Sequence, residues 1–175
     1  MGFDLSGMKP KQNTDINQYK LFGMVSQIEN FEDQWKIRDA FTEEDNEQYW
    51  KEYEEYHDKN PGLYFRNNVW WWRPLWSFVC QACDDFLTKE DMDAGNYNDH
   101  KQIDESKAKK ISKRLRLLIK DGTVEKYEKE YGEHIEKLKE SDNEDKKWNS
   151  QYPFDINNVE RFATFCEQSG GFVIG

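Results

Sequence analysis

The chain has no long apolar run. Nowhere among its 175 residues do about 18 apolar residues follow one another, so no segment reads as a membrane span. Its start, MGFDLSGMKPK, lacks the basic stretch followed by an apolar one that marks a secretory signal. Cysteine is scarce and odd in number, three in all, which implies no disulfide framework and points to a reducing, cytoplasmic setting. Positive charge is in deficit: 25 Lys and Arg face 35 Asp and Glu, for a net charge of -10 and a pI near 4.9. That balance argues against direct binding to nucleic acid, which takes clustered cations on the phosphates, and leaves basic proteins as fitting partners.

Catalytic signatures are missing as well. There is no phosphate-binding glycine loop, no HExxH, no GxSxG and no Gly-rich dinucleotide fingerprint. Three scattered histidines, His57, His100 and His134, give no general base a stated partner. The pair Cys80 and Cys83 has the spacing of half a zinc site, but no second pair of ligands closes it, and on a helix the thiols sit one turn apart as structural residues. Asp91, Asp93, Asp99 and Asp104 surround Gly95, yet the glycine falls at the fifth place of a calcium loop rather than the sixth, and Gln102 stands where the bidentate Glu belongs. No metal and no cofactor are expected, and an enzymatic role has no motif to rest on.

What the chain does have is aromatic bulk. Only 36% of residues are hydrophobic and the mean hydropathy is -1.11, a composition near that of disordered chains. Seven Trp, nine Tyr and eleven Phe offset this, because each buries a large area, so a compact core is feasible. The patterning predicts an α+β fold, predominantly helical, in one domain. Residues 2–6 alternate as a short strand, and 172–174 read as a second strand expected to pair with it in a small sheet. Helices are predicted over 103–121, from Thr123 to about 138, and over 156–168, with Gly122 and Gly170-Gly171 as stops. Asn67 and Asn68 favour a turn, Pro74 suits the first turn of a following helix, and 88–102 and 140–151 read as polar loops.

Two features carry functional information. The block 29–58 holds twelve acidic residues against Lys36, Arg38 and Lys51 and accounts for about -9 of the total charge. Its aromatics fall at helical spacings, which predicts two helices broken near Thr42, the second capped by that hydroxyl, as an acidic aromatic insertion at about 24–60. A charge run is most often a solvated helix face. Read functionally, Glu32, Asp33, Trp35, Glu43, Glu44, Asp45, Glu47, Trp50, Glu54 and Glu55 form a docking surface that imitates the charge of nucleic acid, with the tryptophans as anchors. The second feature is the run YFRNNVWWWRPLW at 64–76. Three consecutive Trp cannot all face one core, so Arg66, Asn67, Asn68, Trp70, Trp71, Trp72 and Arg73 are either a bulky core corner or a pocket that grips a small planar anion such as a nucleotide.

The Trp run, the opening MGFDLSG and the ending YPFDINNVERFATFCEQSGGF together resemble a family of small bacteriophage and prophage proteins. The resemblance covers 1–10, 152–175 and, loosely, 61–135. It implies a phage origin and the host bacterial cytosol, not an activity. Relatives of that kind run almost directly from the first strand into the Trp motif, which marks the acidic block as an elaboration. Many carry a Cys-rich, metal-binding-like insertion before the last helix, where this chain has KESDNEDKKWNSQ, so no zinc site is inherited there. The expectation is a non-enzymatic accessory protein that binds and inhibits a host defence or nucleic-acid-binding protein. The alternative is a sponge for a small nucleotide signal.

Overall fold

The computed structural model describes residues 2–175. Along the chain the elements are β1 (Gly2–Gly7), α1 (Lys20–Ser26), α2 (Phe31–Asp39), α3 (Glu43–Lys59), β2 (Tyr64–Asn68), α4 (Val69–Ala82), α5 (Lys89–Ala94), β3 (Lys101–Ile103), α6 (Glu105–Lys120), α7 (Thr123–Lys139), α8 (Glu144–Asn149), α9 (Ile156–Gln168) and β4 (Phe172–Ile174). The fold is α+β and predominantly helical, and its sheet joins the N- and C-terminal strands, as the sequence predicts. No described helix is long and apolar enough to cross a membrane. Two compact units emerge: the chain up to Lys11 together with Gly62–Gly175, and Gln12–Pro61.

In the first unit the four strands run β2-β1-β4-β3, all antiparallel, with Leu5 opposite both Phe65 and Ile174 and Ile103 opposite Phe172. Alternation in β1 buries Phe3 and Leu5. The same face of the sheet receives Phe65, Phe172 and Ile174, and Val159, Phe162, Phe165 and Cys166 of α9 and Ala108, Ile111 and Leu115 of α6 complete the core. Gly170 and Gly171, at φ 64° and 89°, turn α9 back into β4 through left-handed backbone that a side chain rarely adopts.

Four local predictions are corrected. Asn67 and Asn68 belong to β2 rather than a turn, because the pairing Phe3–Asn67 and Gly2–Asn68 carries the strand to its end. Asn68 then caps α4 by accepting from Trp70 N at 3.0 Å and Trp71 N at 3.1 Å. The helix therefore starts at Val69 and Pro74 lies inside it, beyond the first turn. The stretch 88–102 contains α5 and the start of β3. Thr88 and Asp91 form a capping box there, and Asp91 is buried against the Lys107 ammonium at 2.8 Å. Similarly, Asn143 nucleates α8 within 140–151.

The unit Gln12–Pro61 is wider than the block of about 24–60 because Asn60 ties its two ends together. The Asn60 carboxamide oxygen accepts from Asn13 N and Thr14 N, and its amide donates to Tyr56 O. Asn30 caps α2 and Thr42 caps α3 in a capping box with Asp45, so the break near Thr42 stands as predicted. The core here is small and aromatic: Tyr19, Phe22, Val25, Tyr49 and Tyr56, with the Phe22 ring 5.3–5.8 Å from those of Tyr49, Tyr53 and Tyr56.

Candidate protein-docking face

The unit Gln12–Pro61 buries so little that much of its aromatic content stays outside. Phe31 is 68% exposed, Trp35 51% and Trp50 48%. Phe31 and Trp35, four residues apart on α2, meet edge to face at 5.9 Å. On α3, Trp50 packs edge-on against Tyr49 and Tyr53, both at 5.5 Å. Arg38 joins the two helices: its guanidinium carbon lies 4.6 Å from the Tyr49 ring, 5.0 Å from Trp50 and 5.8 Å from Trp35. Arg38 thus lies against ring faces and makes no ion pair with the described acids of the block.

Those acids divide into two groups. Asp33 is paired with Lys36 at 2.7 Å and Glu55 with Lys59 at 2.5 Å, and Asp45 is spent on the Thr42 cap, whose hydrogen bonds hold its carboxyl below the usual range. Glu32, Glu43, Glu44, Glu47 and Glu54 make no ion pair among the described residues. Glu43, Glu47, Trp50 and Glu54 follow one another at steps of four, three and four, which sets them in a single row about 16 Å long on α3. Beside it, Glu44, Asp45, Glu47 and Glu52 line a groove of about 540 Å³ together with Lys20 and Lys51.

Glu52 is set apart from the exposed acids of the block. It is buried, and its Oε2 accepts from Leu21 N at 2.7 Å and Phe22 N at 2.9 Å, satisfying the otherwise unpaired first-turn donors of α1. Burial pushes its carboxyl up, but the Gln48 amide and these backbone donors outweigh that and hold it below the ordinary value. Its position between Tyr49 and Tyr56 on the inward stripe of α3 is the signal that separates it from its neighbours.

The Trp–Arg cluster of the first unit separates in three directions. Trp72 is 0% exposed and stacks between Phe3 at 5.4 Å and Trp76 at 5.2 Å, with its indole N–H donating to Gly95 O at 2.6 Å. Trp70 is half-buried against Tyr152 at 4.8 Å and Trp148 at 5.1 Å. Trp71 lines a cavity of about 250 Å³ with Asn67, Asn158 and Arg161. Asn67 is buried and donates to Asn158 Oδ1 at 3.0 Å, Asn68 caps α4, and Arg66 pairs with Asp4 at 3.4 Å. Arg73 points to a separate cavity with α7.

Cys83 and Cys166 are buried and Cys80 is half-buried. Burial raises all three thiols, Cys80 to about 11 and Cys83 to about 12, so none is a thiolate nucleophile near neutral pH. Among the described residues no group of three His, Cys, Asp or Glu is placed to hold a metal ion; Asp91 and Asp104 are instead helix-capping residues.

Fold and face together define an α+β chain that carries a small helical unit with an acidic, aromatic-studded surface. The chain matches no known family model, no curated protein and no solved structure.

Proposed function

We propose that this protein is a phage-encoded, non-enzymatic accessory protein that docks onto a basic host protein, of the nucleic-acid-binding or defence class, and blocks it. The observation that supports this reading is the exposed pair Trp35 and Trp50, bridged by Arg38 and flanked by the uncompensated carboxylates of Glu32, Glu43, Glu47 and Glu54. Exposed indoles of this kind serve as anchors that desolvate on binding, while a row of like charges accelerates encounter with a surface of opposite sign and repels the wrong partners. The phage origin rests on the resemblance of the terminal segments and the Trp motif.

The test is affinity capture from the bacterial host, run in parallel with the native chain and with a variant carrying Glu32→Gln, Glu43→Gln, Glu47→Gln and Glu54→Gln. The reading expects a basic protein retained by the native chain, released by salt, and lost to the variant. Equal capture by both, or capture that salt does not weaken, overturns it.

A further inference from the structure

A cavity of about 350 Å³ opens in the first unit where α4 faces α7 and the segment after α8. Arg73, Tyr127, Tyr131, His134, Asn149 and Tyr152 contribute to its lining, and none of the lining residues is Asp or Glu. That is unusual for a chain with 35 carboxylates, and it leaves an anion entering the cavity facing no like charge in the wall.

Arg73 stands apart from the other arginines of the chain. Arg66 pairs with Asp4, Arg114 with Asp85 and Arg116 with Glu167, while Arg38 and Arg161 lie over aromatic rings. The Arg73 guanidinium has no such partner among the described residues, and neither does the His134 ring. A guanidinium offers five donors in a planar fork suited to a carboxylate or phosphate, and here the fork is unoccupied by the protein.

The aromatic wall is held from behind. The Tyr131 hydroxyl donates to Tyr152 O at 3.0 Å, Tyr127 stacks on Tyr131 at 5.9 Å, and Trp70 packs on Tyr152. The Trp run thereby has a division of labour: Trp72 anchors α4 in the core, Trp70 backs the wall, and Arg73 stands at the mouth. The volume lies at the lower end of the roughly 300–1,000 Å³ common for small-molecule sites, room for one ring system with its anionic group.

We propose that this cavity binds a small planar aromatic anion, in the class of a nucleoside monophosphate or an aromatic carboxylate, with Arg73 gripping the anion and the tyrosines facing the ring. The site shares no residue with the acidic docking face, and each stands or falls without the other.

Isothermal titration of the full chain with AMP, UMP, indole-3-carboxylate and inorganic phosphate tests it. Saturable binding of an aromatic probe is expected, with nucleotides alone or indole-3-carboxylate alone naming the source of the ligand. Arg73→Ala weakens that binding by about tenfold or more, the scale of lost charge-assisted hydrogen bonds, and Arg73→Lys restores part of it. Ser77→Trp, which fills the cavity while keeping Arg73, blocks it; circular dichroism confirms that each variant is folded. Absence of binding up to roughly millimolar probe, unchanged affinity in folded Arg73→Ala, or inorganic phosphate binding as tightly as the aromatic probes overturns the proposal.

Discussion

The Arg38 guanidinium sits 4.6 Å from the ring of Tyr49, and this contact ties α2 to α3. α2 has no buried residue of its own, and Arg38 with the rings it touches holds it to α3, beside the bond that the Gln34 amide donates to Ile28 O at 2.6 Å. Replacing Arg38 by Gln removes the cation and keeps most of the stem. The expected loss is about 1–2 kcal/mol in the stability of this unit, the scale of a partly desolvated cation–π contact. Hydrogen exchange of the α2 amides checks it: they should exchange faster in the variant while α3 amides change less. Equal protection of the α2 amides in the native chain and the variant would show that Arg38 is a bystander.

Glu52 makes the same unit sensitive to acid. Its folded carboxyl lies below the ordinary value of 4.5, so its contribution to stability is fully present above that value and is lost as the pH falls through the lower, folded one. Removing the acceptor altogether, as in Glu52→Ala, leaves the N–H groups of Leu21 and Phe22 without a partner in a buried site, at a cost of about 1–3 kcal/mol. Glu52→Gln retains an oxygen acceptor and should cost less at neutral pH. Urea midpoints measured from neutral pH down into the acid range should fall for the native chain and flatten for Glu52→Gln. Parallel slopes would place the acid sensitivity elsewhere.

Much of this architecture is legible in the sequence where periodicity and caps agree. α9 spans Ile156–Gln168, the stretch 156–168 marked by Val159, Phe162, Ala163 and Cys166, and β4 follows the two glycines. The division of the acidic block at Thr42 is legible because the cap residue and the aromatic spacing give the same answer. β3 is not, since Lys-Gln-Ile has no alternation of its own and becomes a strand only by pairing with β4.

The candidate sites were harder to read for a related reason. Spacing can tell that three consecutive tryptophans diverge, but the partner of each is fixed by tertiary contacts: Trp72 by Phe3 and Gly95, Trp70 by Tyr152. The carboxylates posed the same difficulty, because Glu47 and Glu52 are one residue type on one helix and differ only in which way the helix turns them. Arg73 looks like its neighbour Arg66 in the sequence, and only the fold gives Asp4 to one and a carboxylate-free cavity to the other.

Trp72 and Trp76 lie one turn apart on α4 and stack at 5.2 Å, and both indoles donate to the end of α5, at Gly95 O and Met92 O. These bonds satisfy carbonyls that the helix terminus leaves open. The close approach needs a glycine, because a methyl on Gly95 would overlap the Trp76 indole. Gly95→Ala is therefore expected to destabilise the first unit by about 1–3 kcal/mol through overpacking. Its tryptophan emission should shift to the red as the Trp72–Trp76 pair opens to water. A variant with unchanged urea midpoint and emission would mean that α5 moves aside freely.

The three thiols offer a check on the core that needs no mutation. A thiol with a pKa near 11 or 12 stays protonated at neutral pH, and thiolate appears only as the pH rises towards that value. Burial adds a steric barrier at Cys83 and Cys166, so alkylation by iodoacetamide near neutral pH should leave both unmodified in the folded chain. Cys80, half-buried on the last turn of α4, should react first, and slowly, as the pH is raised. Intact-mass measurement should then show at most one adduct under native conditions and three after unfolding in urea. Rapid native modification at Cys166 would mean that α9 opens from the core far more often than its packing allows, because that thiol is only 1% exposed in the folded chain.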